Sequence, residues 1–327
     1  MENIKIHESF DSVSDIWKTV LSRIPRHSIF QTIEWQKTWF SIFHTNNSLN
    51  ILEISNNNEV IGIAPFMLNG DKKLTLIGNK DVYDYQDFLI VPNYENEFFK
   101  EVGIFFENIN YDLIEINSIP ETSATIPFME KLAKNKEWSF DKSTEDVCPL
   151  IELPKDWESY LSILNKKDRH ELRRKFRRLD DQSNHTIQQL TASVDIENSM
   201  EEFFELMSKS GHHKAEFLTP IMKIYFKNLC LELSKENWTR LYFMEIDNKK
   251  VSACIAFDYN NIRYLYNSGF DPDYQHLSCG LLLNATSLKH SIEYNFECFD
   301  FLRGDESYKY HLGAQNTTIY TIKLMKK

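Results

Sequence analysis

The sequence predicts an α/β (α+β) protein built from two tandem domains of one design, each a mixed, twisted sheet flanked by helices. Three observations carry this. Short β-branched or aromatic runs alternate with helical stretches along the chain. Two hairpins of the same build stand one in each half, Leu49 to Leu68 and Arg240 to Tyr259. The elements after each hairpin keep the same order and spacing: Val251 lies 191 residues after Val60, and Asp300 lies 185 residues after Glu115. A pattern repeated at a fixed separation implies duplication, and the boundaries it suggests are 1–154 and 155–327.

In the first half, residues 7–44 read as helical, with Trp17, Trp35, Trp39, Phe40 and Phe43 as core aromatics. The hairpin turns at Asn56-Asn57-Asn58, residues that tolerate positive φ. Leu74 to Gly78 is a strand, the polar-aromatic stretch 81–87 a loop, and Phe88 to Val91 a further extended run. Glu95 to Asn108 is a helix, Tyr111 to Asn117 a buried strand, Ala124 to Glu137 a helix, and Phe140 to Leu153 two short strands.

In the second half, Asp156 to Asp181 forms one long helical pattern containing KKDRHELRRKFRRL. Leu172, Phe176 and Leu179 make a narrow apolar stripe on it, which predicts a solvated helix with one buried edge. Helices come next at Phe203 to Ser210 and Pro220 to Ser234. After the second hairpin come a strand at Ile262 to Ser268, turn chemistry at Asp271-Pro272-Asp273, and a helix running through Leu281 to Ile292. Cys298 to Leu302 is a buried strand that ends at the charged Arg303-Gly304-Asp305-Glu306.

The bulk composition excludes several classes. With 327 residues, 42% hydrophobic and 13% aromatic, the chain is long enough for a sizeable core, and 9 Gly and 9 Pro argue against long linkers. A net charge of −11 gives no general attraction to nucleic acid or an anionic membrane. No apolar run approaches the roughly 20 residues of a membrane span, and the opening MENIKIHESFDSVSDIWKTV has no leader-like apolar core. Five scattered cysteines form no CxxC or Cys/His pattern, which points to reduced thiols in a cytoplasm and to no metal site.

The stretch most suggestive of chemistry is the start of the helix near Ser278. Ser278 suits an N-cap, and Gly280 admits a close backbone or ligand. Bare amides at such an end, with the positive pole of the helix, suit an anion such as a pyrophosphate. In the first half the matching helix opens Pro92-Asn93-Tyr94-Glu95-Asn96-Glu97, whose acids repel a phosphate. The second copy is therefore expected to hold the anionic co-substrate, and the first to be structural or substrate-binding.

Arg169 to Leu179, Gly269-Phe270-Asp271-Pro272, and Phe299 to Glu306 with Tyr308-Lys309 occur in an order that resembles the GNAT superfamily of acyl-CoA-dependent N-acyltransferases. The fuller likeness is to CelD-like tandem-GNAT acetyltransferases, distant relatives of the FemABX aminoacyl transferases. The resemblance implies a doubled GNAT fold, acetyl-CoA or another acyl-CoA as donor, no metal, and a small-molecule amine as acceptor. The family's phosphate loop is Q/R-x-x-G-x-G/A, which maps onto Gln275, His276, Leu277, Ser278, Cys279 and Gly280, with Ser at the first glycine position. Gln275, Leu277, Ser278, Cys279, Gly280 and Leu281 are thus the expected donor-binding residues.

Amide formation needs a base for the amine, a stabilised oxyanion and an acid for the thiolate. Asp305 and Glu306 are the candidate bases, Tyr308 the acid, and Lys309 a binder of phosphate, carboxylate or oxyanion. Asp84, Tyr85 and Asp87 suit a cationic amine, with His213 and Arg303 assigned alongside them to the acceptor. His212-His213-Lys214 read as loop residues without a third metal ligand. Two alternatives stand beside acyl-CoA chemistry. One is aminoacyl-tRNA-dependent transfer, for which no helical-hairpin insertion is visible. The other is a non-catalytic pair in which Asp305→Asn and Tyr308→Phe change nothing.

Overall fold

The structure is a computed structural model that describes residues 2–326. The chain divides into two compact units, Met1–Val147 with Thr317–Lys327, and Cys148–Asn316.

The first unit opens with β1 (Ile4–His7), α1 (Ser14–Ser22) and α2 (Ile33–Phe43). The hairpin β2 (Asn47–Asn56) and β3 (Glu59–Asn69) comes next, with Asn57 and Asn58 at positive φ as the turn requires. Then come β4 (Lys73–Leu76), β5 (Leu89–Ile90), α3 (Glu95–Asn108), β6 (Leu113–Pro120), α4 (Thr125–Asn135) and β7 (Ser139–Glu152). β7 is one continuous strand where two were expected. Residues 7–44 hold two helices and a 3-10 turn rather than one helical stretch, and β1, which pairs with β2, precedes them.

The second unit contains α5 (Trp157–Ile163), α6 (Lys166–Gln182), β8 (His185–Leu190), α7 (Ser193–Lys209), α8 (His212–Phe217) and α9 (Pro220–Lys235). The hairpin β9 (Thr239–Ile246) and β10 (Lys249–Tyr259) leads to β11 (Ile262–Phe270), α10 (Cys279–Glu293), β12 (Cys298–Asp300) and α11 (Ser307–His311). β13 (Gln315–Met325) ends the chain. The long helical pattern from Asp156 is two helices, because Asn165 leaves the helical region and accepts the Asp168 amide at 2.9 Å as a new N-cap. His212 to Lys214 begin α8 rather than a loop.

The two units share a strand plan. In the first, β1, β2, β3 and β4 are antiparallel neighbours, β4 is parallel to β6, and β6 is antiparallel to β13. In the second, β8, β9, β10 and β11 are antiparallel, β11 is parallel to β12, and β12 is antiparallel to β7. The closing strands are exchanged. β13 pairs with β6 through Ile319 to Leu324, while β7 pairs with β12 through Leu150 to Glu152. A division at 154 and 155 therefore leaves the last strand with the wrong sheet, since Ile322 and Leu324 are buried in the first unit's core.

Each unit has its own core. In the first, Phe66, Phe88, Phe98, Phe99, Phe105 and Phe106 pack β3 against α3, and Trp17, Trp35 and Trp39 are buried. In the second, α10 lies on β9, β10 and β11 with Leu282, Leu283, Ala285 and Leu288 inside. Leu172 and Leu179 bury the expected edge of α6, with Phe176 packed beside them. A wholly buried Arg263 on β11 forks onto Asp258 of β10 at 2.6 and 2.8 Å and donates to the Ser287 carbonyl of α10 at 3.0 Å. Such a pair is tolerated inside only because every charge finds a partner.

Candidate functional site

β11 and β12 pair in parallel at Ile262/Cys298, Arg263/Phe299 and Tyr264/Asp300, and then part. β11 continues to Phe270, and β12 gives way to a loop at Phe301. The strands open into a mouth at their carboxyl ends, where ligands settle in α/β sheets.

The loop after β12 is held by Lys309. This lysine is 2% exposed. Its Nζ donates to the carbonyls of Leu302, Arg303 and Gly304 at 2.9, 2.8 and 2.9 Å and meets Glu306 Oε2 at 2.9 Å. An ammonium so fully engaged does not reach a phosphate or an oxyanion, so the expected role of Lys309 gives way to a structural one. Gly304 takes φ +110°, and a Cβ there would lie 2.6 Å from the Glu306 carboxylate, so the turn needs glycine. Asp305 and Glu306 are exposed at the mouth. Tyr308 packs edge-on against Phe301, and burial, aided by Glu306, keeps its phenol protonated well above the usual range.

Facing this loop is a residue that sequence pattern alone does not single out. Lys214 of α8 donates to the Ser268 carbonyl of β11 at 2.5 Å. Burial lowers its pKa, while Glu306 acts to raise it and Lys309 to lower it. His213, the residue expected to reach an acceptor, is exposed beside Gly211, and Lys214 is the one of that triplet at the strand mouth.

The tip of α10 is built differently from the expected cap. Ser278 adopts φ 59°, ψ 33°, and its hydroxyl does not cap the helix. Its Oγ instead accepts from Lys175 Nζ at 2.9 Å and Arg178 at 3.1 Å, both from α6. The first amides of α10 thus have no side-chain cap, and two cations stand beside them. The Nε–H of Arg178 is buried with no acceptor among the described residues. Leu277 and Cys279 are core residues, so only their backbone is available to a ligand. The close neighbour of Gly280 is the Phe270 ring, 3.1 Å from where a Cβ would sit, rather than ligand space. Gln275 is exposed, and its carbonyl accepts the Ser278 amide at 2.9 Å. Asp271 anchors the approach to the helix. It takes Lys249 at 3.0 Å, which holds its carboxyl below the ordinary value. Beside the tip, a cavity of about 890 Å³ runs along α6, lined by Lys166, Lys167, Arg174, Lys175, Arg177 and Leu281 among others.

The first unit holds the other expected residues. Tyr85 is buried against Phe30, ring centroids 6.0 Å apart. Asp87 accepts from Thr125 Oγ1 at 2.5 Å and from the Phe88 amide at 2.9 Å, so it ties the loop to the start of α4. Burial raises its pKa. These two residues serve the fold rather than meeting a cationic amine. Asp84 is half-buried. Among the described residues no group of three or more His, Cys, Asp or Glu could hold a metal ion, and no helix is long and apolar enough to cross a membrane.

Residues 166–310 match the family of acetyltransferase (GNAT) domains. No curated protein matches the chain in sequence. Among solved structures, FemX is similar over 94% of this chain and 95% of its own, at 11% identity and TM-score 0.69. A tandem GNAT protein from the clavulanic acid biosynthesis pathway is similar over 98% of each chain, at 9% identity and TM-score 0.53. L-PGS from Bacillus licheniformis is similar over 94% of this chain and 90% of its own, at 9% identity and TM-score 0.55.

Proposed function

Because the chain is a distant GNAT-fold relative of FemX and the tandem-GNAT proteins, with a GNAT domain at 166–310, we propose that it transfers an acyl group from acyl-CoA to the amine of a small molecule. The observation that carries the donor reading is the uncapped tip of α10 with Lys175 and Arg178 gathered at Ser278. Bare amides, a helix pole and two cations together suit a pyrophosphate. The buried Arg178 Nε–H adds a donor with no partner of its own.

In the reaction the amine nitrogen bonds to the thioester carbonyl carbon and the C–S bond breaks. Asp305 or Glu306 takes the proton from nitrogen, directly or through water. Glu306 is already engaged by Lys309, so Asp305 is the carboxylate of the two without that partner. Tyr308 is the candidate acid for the departing thiolate, although burial, which raises its pKa, makes it a weaker donor than a free phenol. Lys214, with a lowered pKa at the same mouth, is a further candidate for proton transfer or carbonyl polarisation. The five free cysteines fit a cytoplasmic setting.

A second reading, an aminoacyl-tRNA donor, is favoured by the basic lining of the cavity along α6, where Lys166, Lys167, Arg174, Lys175 and Arg177 outnumber Asp168 and Glu171. The test sets acyl-CoA thioesters of increasing chain length, with a panel of amines, against charged tRNA. Thiol release dependent on amine supports the first reading. Salt-sensitive tRNA binding with transfer of the aminoacyl group, and no thiol release, replaces it.

A further inference from the structure

In the first unit a hydroxyl, an imidazole and a carboxylate stand in line. His7 ends β1, and Glu53 lies on β2. The two strands pair with His7 opposite Ile51 and Lys5 opposite Glu53. Side chains alternate along each strand, so His7 and Glu53 share one face of the pair, diagonal to each other. The chain then turns through Ser9 and Ser12 into α1. That turn brings Ser12 Oγ to 2.9 Å from His7 Nδ1, while Nε2 meets Glu53 Oε2 at 2.7 Å.

The carboxylate decides the tautomer. An ionised carboxylate only accepts, so Nε2 carries the proton and the neutral ring keeps a bare lone pair on Nδ1. That lone pair faces the Ser12 hydroxyl. Lys5 stands farther from the same Glu53 oxygen, at 3.7 Å, so His7 is its nearer partner. The ring is buried, with both nitrogens engaged, which fixes its orientation. Ser12 is exposed, so a reagent reaches the hydroxyl without having to reach the imidazole.

The hydroxyl also has a second acceptor. Ser12 Oγ lies 2.9 Å from the Ser9 carbonyl, and Ser9 Oγ donates to it at 3.3 Å. Ser22 and Ser162 show what such a turn serine is without a histidine. Both are exposed and donate to the carbonyl three residues back, of Thr19 at 2.8 Å and of Ser159 at 2.7 Å. Ser12 differs from them in the base beside it.

We propose that Ser12 is a nucleophile that takes an acyl group from a small activated ester, with His7 as its general base and Glu53 as the positioning residue. Oγ bonds to the carbonyl carbon, and the bond from that carbon to the leaving oxygen breaks. The hydroxyl proton passes to Nδ1 and on to the leaving oxygen. α1 begins at Ser14 with no side-chain cap, so its first amides are uncommitted donors close in sequence to the nucleophile. The acyl-CoA site takes no part in this step.

The test incubates the full chain with para-nitrophenyl acetate, without CoA or amine, and follows acetylation by peptide mass spectrometry. Ser12 should be acetylated about 100-fold faster than Ser22 and Ser162, the scale of a positioned general base. His7→Gln should bring Ser12 down to their rate. Because His7 is buried, Glu53→Gln is the second variant, and the ¹⁵N spectrum of the ring is a readout that a merely structural link would not move. In the neutral ring of the parent, His7 should show a protonated Nε2 and a bare Nδ1. In folded Glu53→Gln the proton should spread over both nitrogens, and acetylation of Ser12 should slow about tenfold or more. The proposal is overturned if Ser12 reacts no faster than Ser22 and Ser162, if the parent ring carries its proton on Nδ1, or if folded Glu53→Gln acetylates Ser12 as the parent does.

Discussion

Tyr264 and Asp300 are the last paired residues of β11 and β12, and beyond them each side carries a lysine bonded to backbone carbonyls. Lys214 serves the Ser268 carbonyl on one side, and Lys309 serves the carbonyls of Leu302, Arg303 and Gly304 on the other. A parted parallel pair leaves carbonyl oxygens short of donors, and buried ones must be satisfied. Each side of the opening thus has carbonyls satisfied by a charge-assisted hydrogen bond.

Removing Lys309 should therefore cost fold before chemistry. Lys309→Met strands three carbonyls and the Glu306 carboxylate, and a loss of about 3 kcal/mol is expected. Urea unfolding of the purified variant measures it. A variant as stable as the parent, but defective in catalysis, would return Lys309 to the catalytic residues.

At the tip of α10, Lys175→Ala and Arg178→Ala should each weaken acyl-CoA binding about tenfold, about 1.4 kcal/mol apiece. Raising the salt concentration should shrink the difference from the parent. Ser278→Ala should stay within about threefold, because its hydroxyl only accepts from the two cations and caps nothing. Calorimetric titration with the nucleotide separates these outcomes. A large loss in Ser278→Ala alone would mean the serine itself grips the donor.

Asp87 gives a pH signature. Its folded pKa is raised by burial above the ordinary 3.8. Between 3.8 and the folded value the native state keeps a proton that the unfolded chain has released. Its contribution is therefore complete below 3.8 and is lost as pH rises through the folded pKa. Asp87→Asn, which keeps an oxygen for Thr125 and the Phe88 amide, should remove that decline. The stability difference between variant and parent should accordingly move in the variant's favour from acid to neutral pH. Unfolding free energies over that span decide it, and a difference independent of pH would contradict the assignment.

The repeat, both hairpins and the bounds of α3 are legible in the sequence because they rest on local periodicity and turn chemistry. The site residues are less so, for reasons visible one residue at a time. A lysine beside a charged loop looks like a binder until its burial is known, and Lys309 is buried with its ammonium bonded to its own loop. Ser278 sits where serine usually caps, yet a left-handed backbone sends its hydroxyl to α6. Lys214 has the pattern of a loop residue beside two histidines, and nothing local places it against β11, 54 residues later. Arg263 lies within a β-branched and aromatic run, and its partner Asp258 is evident only from register.

The exchanged closing strand is the feature least accessible to pattern reading, and it yields the sharpest test of the architecture. β13 comes after the whole second repeat in sequence but pairs with β6 of the first unit. Its Ile319, Ile322 and Leu324 are fully buried, and burying three such side chains stabilises by roughly 6 kcal/mol, comparable to the whole stability of a typical domain. A chain ending at Ala314 should therefore lose the first unit, although the cut falls at the far end of the sequence. Hydrogen exchange should show lost protection in β2, β3 and β6 while β9 and β10 keep theirs, because their ladder contains no residue of β13. Protection lost instead from β9 and β10, with β6 unaffected, would mean that the last strand belongs to the second unit and that the closing strands are not exchanged.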